Sequence, residues 1–183
     1  FTKSSCRGIA GRRMHLREKN LIRKDWRRAG LRIALCYPGS YRSGMSGLAV
    51  QTLYGLFNGR EEVLAERFFE REGPPRSIES GRPLSDFDVI AFTLQFEEQY
   101  ASALRMLLAA GIEPRRSRRE WEGLVIGGGP CATANPIVLS DFLALFVLGE
   151  LEPILEELCS ALSSGSEATT RSSSMPDSAI STT

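Results

Sequence analysis

Short apolar runs alternate with helix-period stretches through the middle of this chain. Leu31–Tyr37 (LRIALCY) is compact, apolar and ended by Pro38 and Gly39, which predicts a strand buried on both faces. Met45, Leu48, Ala49, Thr52, Leu53 and Leu56 then recur at helical spacing, predicting a helix with one apolar face that stops near Asn58 and Gly59. Val63–Phe69 reads as a weaker second strand, followed by a loop rich in Pro, Gly and Ser through Pro74, Pro75 and Gly81. Asp88–Leu94 (DVIAFTL) is a third strand. Phe96, Tyr100, Ala103, Leu104, Leu107 and Leu108 give the next helical face, with Glu97 and Glu98 in its first turn, Arg105 late and Gly111 as its stop. Leu124–Ile126 is a fourth strand cut by Gly127, Gly128 and Gly129, and Ala144–Leu148 a fifth. A last helix carries Leu151, Ile154, Leu155, Leu158 and Leu162 on one face, with Pro153 tolerated in its first turn.

This order predicts an α/β fold: a doubly wound, mostly parallel five-stranded sheet with helices on both faces. Ligands of such sheets lie outside the carboxyl ends of the strands, where strand order reverses. The candidate site is therefore built from Pro38–Gly44 (PGSYRSG), Thr93–Phe96 (TLQF), Gly127–Pro136 (GGGPCATANP) and Gly149–Glu152 (GELE).

Length and charge set limits on this picture. A chain of 183 residues suits one domain with its own core and excludes a large multidomain enzyme. The formal net charge of +1 conceals an asymmetry, because residues 1–32 hold eleven Lys/Arg against Glu18 and Asp25, for a net +9. Such an arm is either a solvated surface segment or a site for nucleic acid or an acidic partner. At the other end, residues 160–183 contain nine Ser and four Thr, with almost nothing large and apolar after Leu162, which predicts disorder. The organisation expected is a basic arm over 1–30, a folded domain over 31–162 and a Ser/Thr-rich tail over 163–183. The chain begins at Phe1, and both ends read as those of a fragment. No apolar run reaches the length of a membrane span, and the composition reads as cytoplasmic.

Candidate chemistry is sparse. Cys6, Cys36, Cys131 and Cys159 are too widely spaced for a zinc ribbon, a CxxC pair or a clustered iron-sulfur triad, and His15 is the one histidine. PGSYRSG offers the hydroxyls of Ser40, Tyr41 and Ser43, backbone amides and Arg42, which suit phosphate or amide contacts better than bond making. It lacks the Gly-Lys-Ser/Thr of a Walker A loop, and GGGPCA is not the GxGxxG dinucleotide fingerprint. Glycines in such loops also serve simply as turn residues. Cys131 is either a nucleophile or a small buried residue, and Glu150 and Glu152 are either general bases or ordinary first-turn carboxylates.

The run Leu124–Leu158, with Gly128, Gly129, Pro130, Asn135, Pro136, Asp141, Gly149, Glu150 and Glu152 at its marked positions, resembles the cobalamin-binding type of domain at the N-terminus of many radical SAM proteins. RIALCYPGSYRSGMSGLAVQTLYGLFN similarly resembles the first strand, loop and helix of a poorly characterised radical SAM family. The resemblance implies a flavodoxin-like sheet and an accessory cofactor- or substrate-binding role. Its implied cofactor-binding residues are Pro38, Gly39, Ser40, Tyr41, Gly44, Thr93, Leu94, Gln95, Gly127, Gly128, Gly129, Pro130, Gly149 and Glu150, with no catalytic or metal-ligating residue.

Three departures bound what carries over. The Cys-x3-Cys-x2-Cys motif for a 4Fe-4S cluster is missing, so the resemblance places cluster, S-adenosylmethionine and catalysis in a downstream barrel outside this chain. The Asp-x-His-x-x-Gly motif that ligates cobalt in one branch is replaced by PGSYRSG, so cobalamin would be held without a histidine from this loop. The basic arm is not part of the pattern. An alternative is a degenerate Rossmann-like domain without cofactor that binds RNA or a partner protein through that arm. A free-standing mononucleotide binder is a third reading, without a supporting aromatic pair or phosphate loop.

Overall fold

The computed structural model describes residues 21–172. Five strands, β1 (Leu31–Tyr37), β2 (Val63–Phe69), β3 (Val89–Thr93), β4 (Leu124–Gly128) and β5 (Leu145–Val147), form one sheet in the order β2-β1-β3-β4-β5. Every neighbouring pair is parallel. Strand order reverses between β1 and β3, which sets the switch point at their carboxyl ends.

The helices are α1 (Tyr41–Ser46), α2 (Leu48–Asn58), α3 (Gln99–Ala109), α4 (Pro130–Ala134) and α5 (Leu155–Ser172). One face of the sheet packs Ile33, Ala65, Ala91 and Ile126 against Phe57 of α2 and Leu155, Leu158 and Leu162 of α5. The other packs Cys36, Phe68, Ile90, Phe92 and Val125 against Ala103, Met106 and Leu107 of α3 and Ala132 of α4. Alternation along β1 supplies both faces, which is why that strand reads as a continuous apolar run. The fold is doubly wound α/β and flavodoxin-like, as the pattern predicts.

Several local expectations are corrected. The stretch from Met45 to Asn58 is two helices, because Gly47 adopts an extended conformation between them, and Leu48 is consequently 80% exposed. Helix α3 begins at Gln99, after Glu97 and Glu98, so Phe96 and Leu108 are exposed and the buried face instead includes Gln99, Ser102 and Met106. Its stop at Gly111 holds: Gly111 has φ 74° and donates to the Leu108 carbonyl, while Ile112 N–H reaches the Leu107 carbonyl. Strand β4 continues through Gly127 and Gly128 rather than ending before them. The last helix starts at Leu155, after a single 3-10 turn, and extends to Ser172. The rest of the Ser/Thr-rich tail and the first twenty residues of the basic arm lie outside the described residues.

The two edges of the sheet differ. On β2 the outer edge is closed: Asn58 takes the Ala65 N–H and donates to its carbonyl, Glu79 takes the Arg67 N–H, and Ile78 N–H donates to the Arg67 carbonyl. Strand β5 has three residues, with Leu145 exposed. Among the described residues no helix is long and apolar enough to cross a membrane.

Candidate functional site

A cavity of about 260 Å³ opens at the carboxyl edge of the sheet, between α2 and α5. Its floor is Leu35 of β1, Ala91, Phe92 and Thr93 of β3, Ile126 to Gly128 of β4 and Val147 of β5. Leu48, Ala49, Thr52, Leu53 and Phe57 of α2 form one wall, and Leu151 and Leu158 form the other. The cavity therefore straddles the switch point. Its lining is apolar, apart from Thr52, Thr93, Gln95 and Glu152. The Thr93 hydroxyl turns back to the Cys36 carbonyl at 3.4 Å, leaving Thr52, Gln95 and Glu152 as the polar side chains toward the mouth.

Each glycine of the run that ends β4 and follows it has its own reason. A Cβ on Gly127 would stand 2.6 Å from Leu143 Cδ1 on the opposite face, and one on Gly128 would stand 3.3 Å from Val147 Cβ beside the cavity. Gly129 has φ 106°, and a Cβ there would lie 2.6 Å from the Leu94 carbonyl oxygen. The backbone is pinned at this point, because Leu94 N–H donates to the Gly128 carbonyl and Cys131 N–H to the Leu94 carbonyl. Gln99 supports the neighbouring loop by accepting from the Gln95 and Phe96 amides at 2.6 and 3.2 Å. The β5 loop is tied to the same region, with Gly149 N–H donating to Thr133 Oγ1 at 3.0 Å.

Of the residues singled out in the sequence, Thr93, Gln95, Gly127, Gly128, Gly129 and Gly149 come together around this cavity. Pro38, Gly39, Ser40, Tyr41 and Gly44 do not line it. Ser40 caps the six-residue α1 by accepting from Ser43 N–H, Tyr41 packs edge-on against Phe69 at 5.1 Å, and Gly44 is packed against Phe69 and Tyr37. Leu94 is buried in the opposite core, Pro130 opens α4, and Glu150 is exposed while Glu152 lines the cavity. The sequence reading missed the helical walls. The signal was available in Ala49 and Thr52, small residues at helical spacing on the α2 face that lines the cavity.

The cysteines among the described residues do not converge. Cys36, Cys131 and Cys159 are free thiols, and burial pushes Cys36 well above the ordinary thiol range. Cys131 is partly buried in α4, where its carbonyl accepts from the Tyr100 hydroxyl at 3.3 Å. No group of three His, Cys, Asp or Glu among the described residues is arranged to hold a metal ion.

The chain is similar to an uncharacterized protein of Methanocaldococcus jannaschii, with 27% identity over 120 residues. That match covers 66% of this chain and 24% of the relative, so the chain spans about a quarter of the relative's length. No solved structure matches it. Residues 49–181 match the family described as radical SAM proteins, N-terminal. Because that match takes in nearly all of α2, the glycine run at the end of β4 and α5, and extends over more than half of the sequence, the chain belongs to the N-terminal domain family of radical SAM proteins.

Proposed function

We propose that this domain is the accessory binding module of a radical SAM enzyme, holding a cobalamin-like cofactor or the substrate at the carboxyl edge of its sheet. The observation that carries this reading is the cavity over the switch point, floored by the Gly127 to Gly129 run and walled by α2 and α5. Pockets that enclose a whole small molecule measure about 300–1,000 Å³. A space of about 260 Å³ suits the ring-bearing portion of a larger ligand, with the remainder lying across the edge. An aromatic nucleotide tail of the cobalamin type has that character. Thr93, Gln95, Gly127, Gly128, Gly129 and Gly149 would hold it, with Thr52 and Glu152 as polar contacts at the mouth. Bound there, cobalamin would supply alkyl-group carriage, and S-adenosylmethionine and iron-sulfur chemistry would belong to the remainder of the longer protein.

Gel filtration of the chain after incubation with hydroxocobalamin tests this reading. Visible corrinoid absorbance is expected to co-elute with the protein, and a colourless protein peak contradicts the cobalamin assignment. The RNA- or partner-binding alternative rests on the basic arm. Within the described residues Lys24 Nζ is engaged on the Arg60 and Val63 carbonyls and Arg32 and Arg82 lie over the Trp26 ring, while Arg23, Arg27 and Arg28 are exposed.

A further inference from the structure

Polar and apolar parts of the cavity lining are segregated by depth. Leu35, Phe57, Ala91, Ile126 and Leu158 are buried and bring only hydrocarbon side chains to it. Thr52 and Glu152 are exposed and Gln95 is half-buried, so these three stand toward the mouth. Thr93 is the polar side chain of the floor, and its hydroxyl already donates to the Cys36 carbonyl, which leaves no unengaged side-chain donor there. The strand backbone beneath is committed as well. Ala91 to Thr93 of β3 pair with Ile126 to Gly128 of β4, which pair in turn with Leu145 to Val147 of β5. The Gly128 carbonyl accepts from Leu94 N–H at 2.8 Å, and the Gly129 carbonyl from Thr133 N–H at 3.0 Å. Among the described residues that line the space, Glu152 carries the one charge, and there is no Lys, Arg or His.

We infer that the cavity selects an apolar aromatic ring of the benzimidazole type and rejects the purine ring of adenine nucleotides and of S-adenosylmethionine. The inference rests on reading the cavity as the ligand site, and adds the chemistry of the ring that it takes. Benzimidazole and adenine share a fused frame of a five- and a six-membered ring, so size and contact area hardly separate them. They differ in the six-membered ring, which is hydrocarbon in one and carries ring nitrogens and an amino group in the other. A ring joined to a sugar through its five-membered part enters with the six-membered edge leading. That edge meets Leu35, Phe57, Ile126 and Leu158, and none of these offers a donor to a ring nitrogen. Each polar group of adenine buried there exchanges water for hydrocarbon and loses its hydrogen bonds, which weakens binding. A hydrocarbon edge gains by the same transfer. The nitrogens of the five-membered ring are common to both and cancel in the comparison, and the sugar lies at the mouth beside Thr52, Gln95 and Glu152.

Titration of the isotope-labelled whole chain with dimethylbenzimidazole riboside and, separately, with adenosine tests this by the amide signals of the cavity. The benzimidazole riboside should move the signals of Gly127, Gly128 and Thr52 and bind at least about tenfold more tightly than adenosine, within the roughly hundredfold that a hydrophobic pocket achieves against a polar isostere. Thr52→Trp, with the rest of its spectrum in place, should bind the benzimidazole riboside several-fold more weakly. Equal affinity for the two ribosides, tighter binding of adenosine, shifts confined to amides away from the cavity, no shift with either, or undiminished binding by Thr52→Trp would each overturn the inference. Retention of hydroxocobalamin is a separate readout. A chain that retains no corrinoid but prefers the benzimidazole riboside loses the cobalamin assignment and keeps the ring selectivity. A chain that retains the corrinoid and does not distinguish the ribosides loses the ring selectivity alone.

Discussion

Arg67 Nε lies 2.7 Å from Glu79 Oε1, with only 2% and 3% of the two side chains accessible, so the outer edge of β2 closes on a buried ion pair. The same carboxylate accepts the Arg67 backbone N–H at 2.7 Å, and the guanidinium stacks over Tyr54 at 4.4 Å. Desolvation makes such a pair a weak source of net stability, but removing one partner strands a buried charge. Glu79→Gln and Arg67→Met should each lower the unfolding free energy by about 3–5 kcal/mol in urea titrations, and the double replacement Arg67→Met/Glu79→Leu should cost distinctly less than the two summed.

Tyr54 links this pair to the segment before β1. Burial, reinforced by the Glu79 carboxylate and opposed by the Ile22 hydrogen bond and Arg67, pushes its hydroxyl up to about 12. A folded-state value above the unfolded one of about 10 contributes stability that is complete below pH 10 and lost as pH rises through 12. Unfolding of the wild type and Tyr54→Phe, compared from pH 8 to 12.5, should show a constant difference up to about pH 10. Above that the wild type should lose about 2–3 kcal/mol relative to the variant. A difference independent of pH would mean that Tyr54 ionises freely in the folded chain.

Asn58 closes the same edge one turn away. Its amide donates to the Tyr54 and Ala65 carbonyls at 3.0 Å each and accepts from Ala65 N–H at 3.1 Å. Asn58→Ala should cost about 2–3 kcal/mol, because three bonds go and a buried strand amide is left unpaired. Amide exchange at Ala65 should accelerate with it.

Gly129 is where the cavity floor meets α4. An alanine there must adopt φ 106° with its Cβ against the Leu94 carbonyl. Gly129→Ala should destabilise by about 2–4 kcal/mol, while Gly55→Ala, in open space within α2, should be neutral or slightly stabilising.

Strands and sheet class were legible because parallel strands covered on both faces leave apolar runs such as Ile33–Tyr37 and Val89–Phe92. Helical faces were less so. Phe96 and Leu108 fit the helical period of α3, but Gln99 folds back to cap the Gln95 and Phe96 amides, so the helix begins later and turns Ser102 and Met106 inward. The five-residue α4 leaves too little periodicity to read. Gly129 and Gly149 were identifiable as loop glycines and Gly127 and Gly128 as part of the same run, although β4 continues through both, whereas the cavity depends on α2 and α5 standing apart over them, a tertiary spacing that local pattern does not encode. The Arg67–Glu79 pair spans a long irregular loop, and nothing in either residue's neighbourhood marks the other.

The central claim is that the space between α2 and α5 holds the ring-bearing part of a ligand. Thr52 lines that space yet is exposed, so Thr52→Trp fills it with little strain on the core. Hydroxocobalamin titrated into the wild-type chain, followed by its visible spectrum and equilibrium dialysis, should saturate at one equivalent, with Thr52→Trp weakening binding at least about tenfold, the equivalent of 1.4 kcal/mol. Equal affinity for both chains, or no retention by the wild type, would contradict the account.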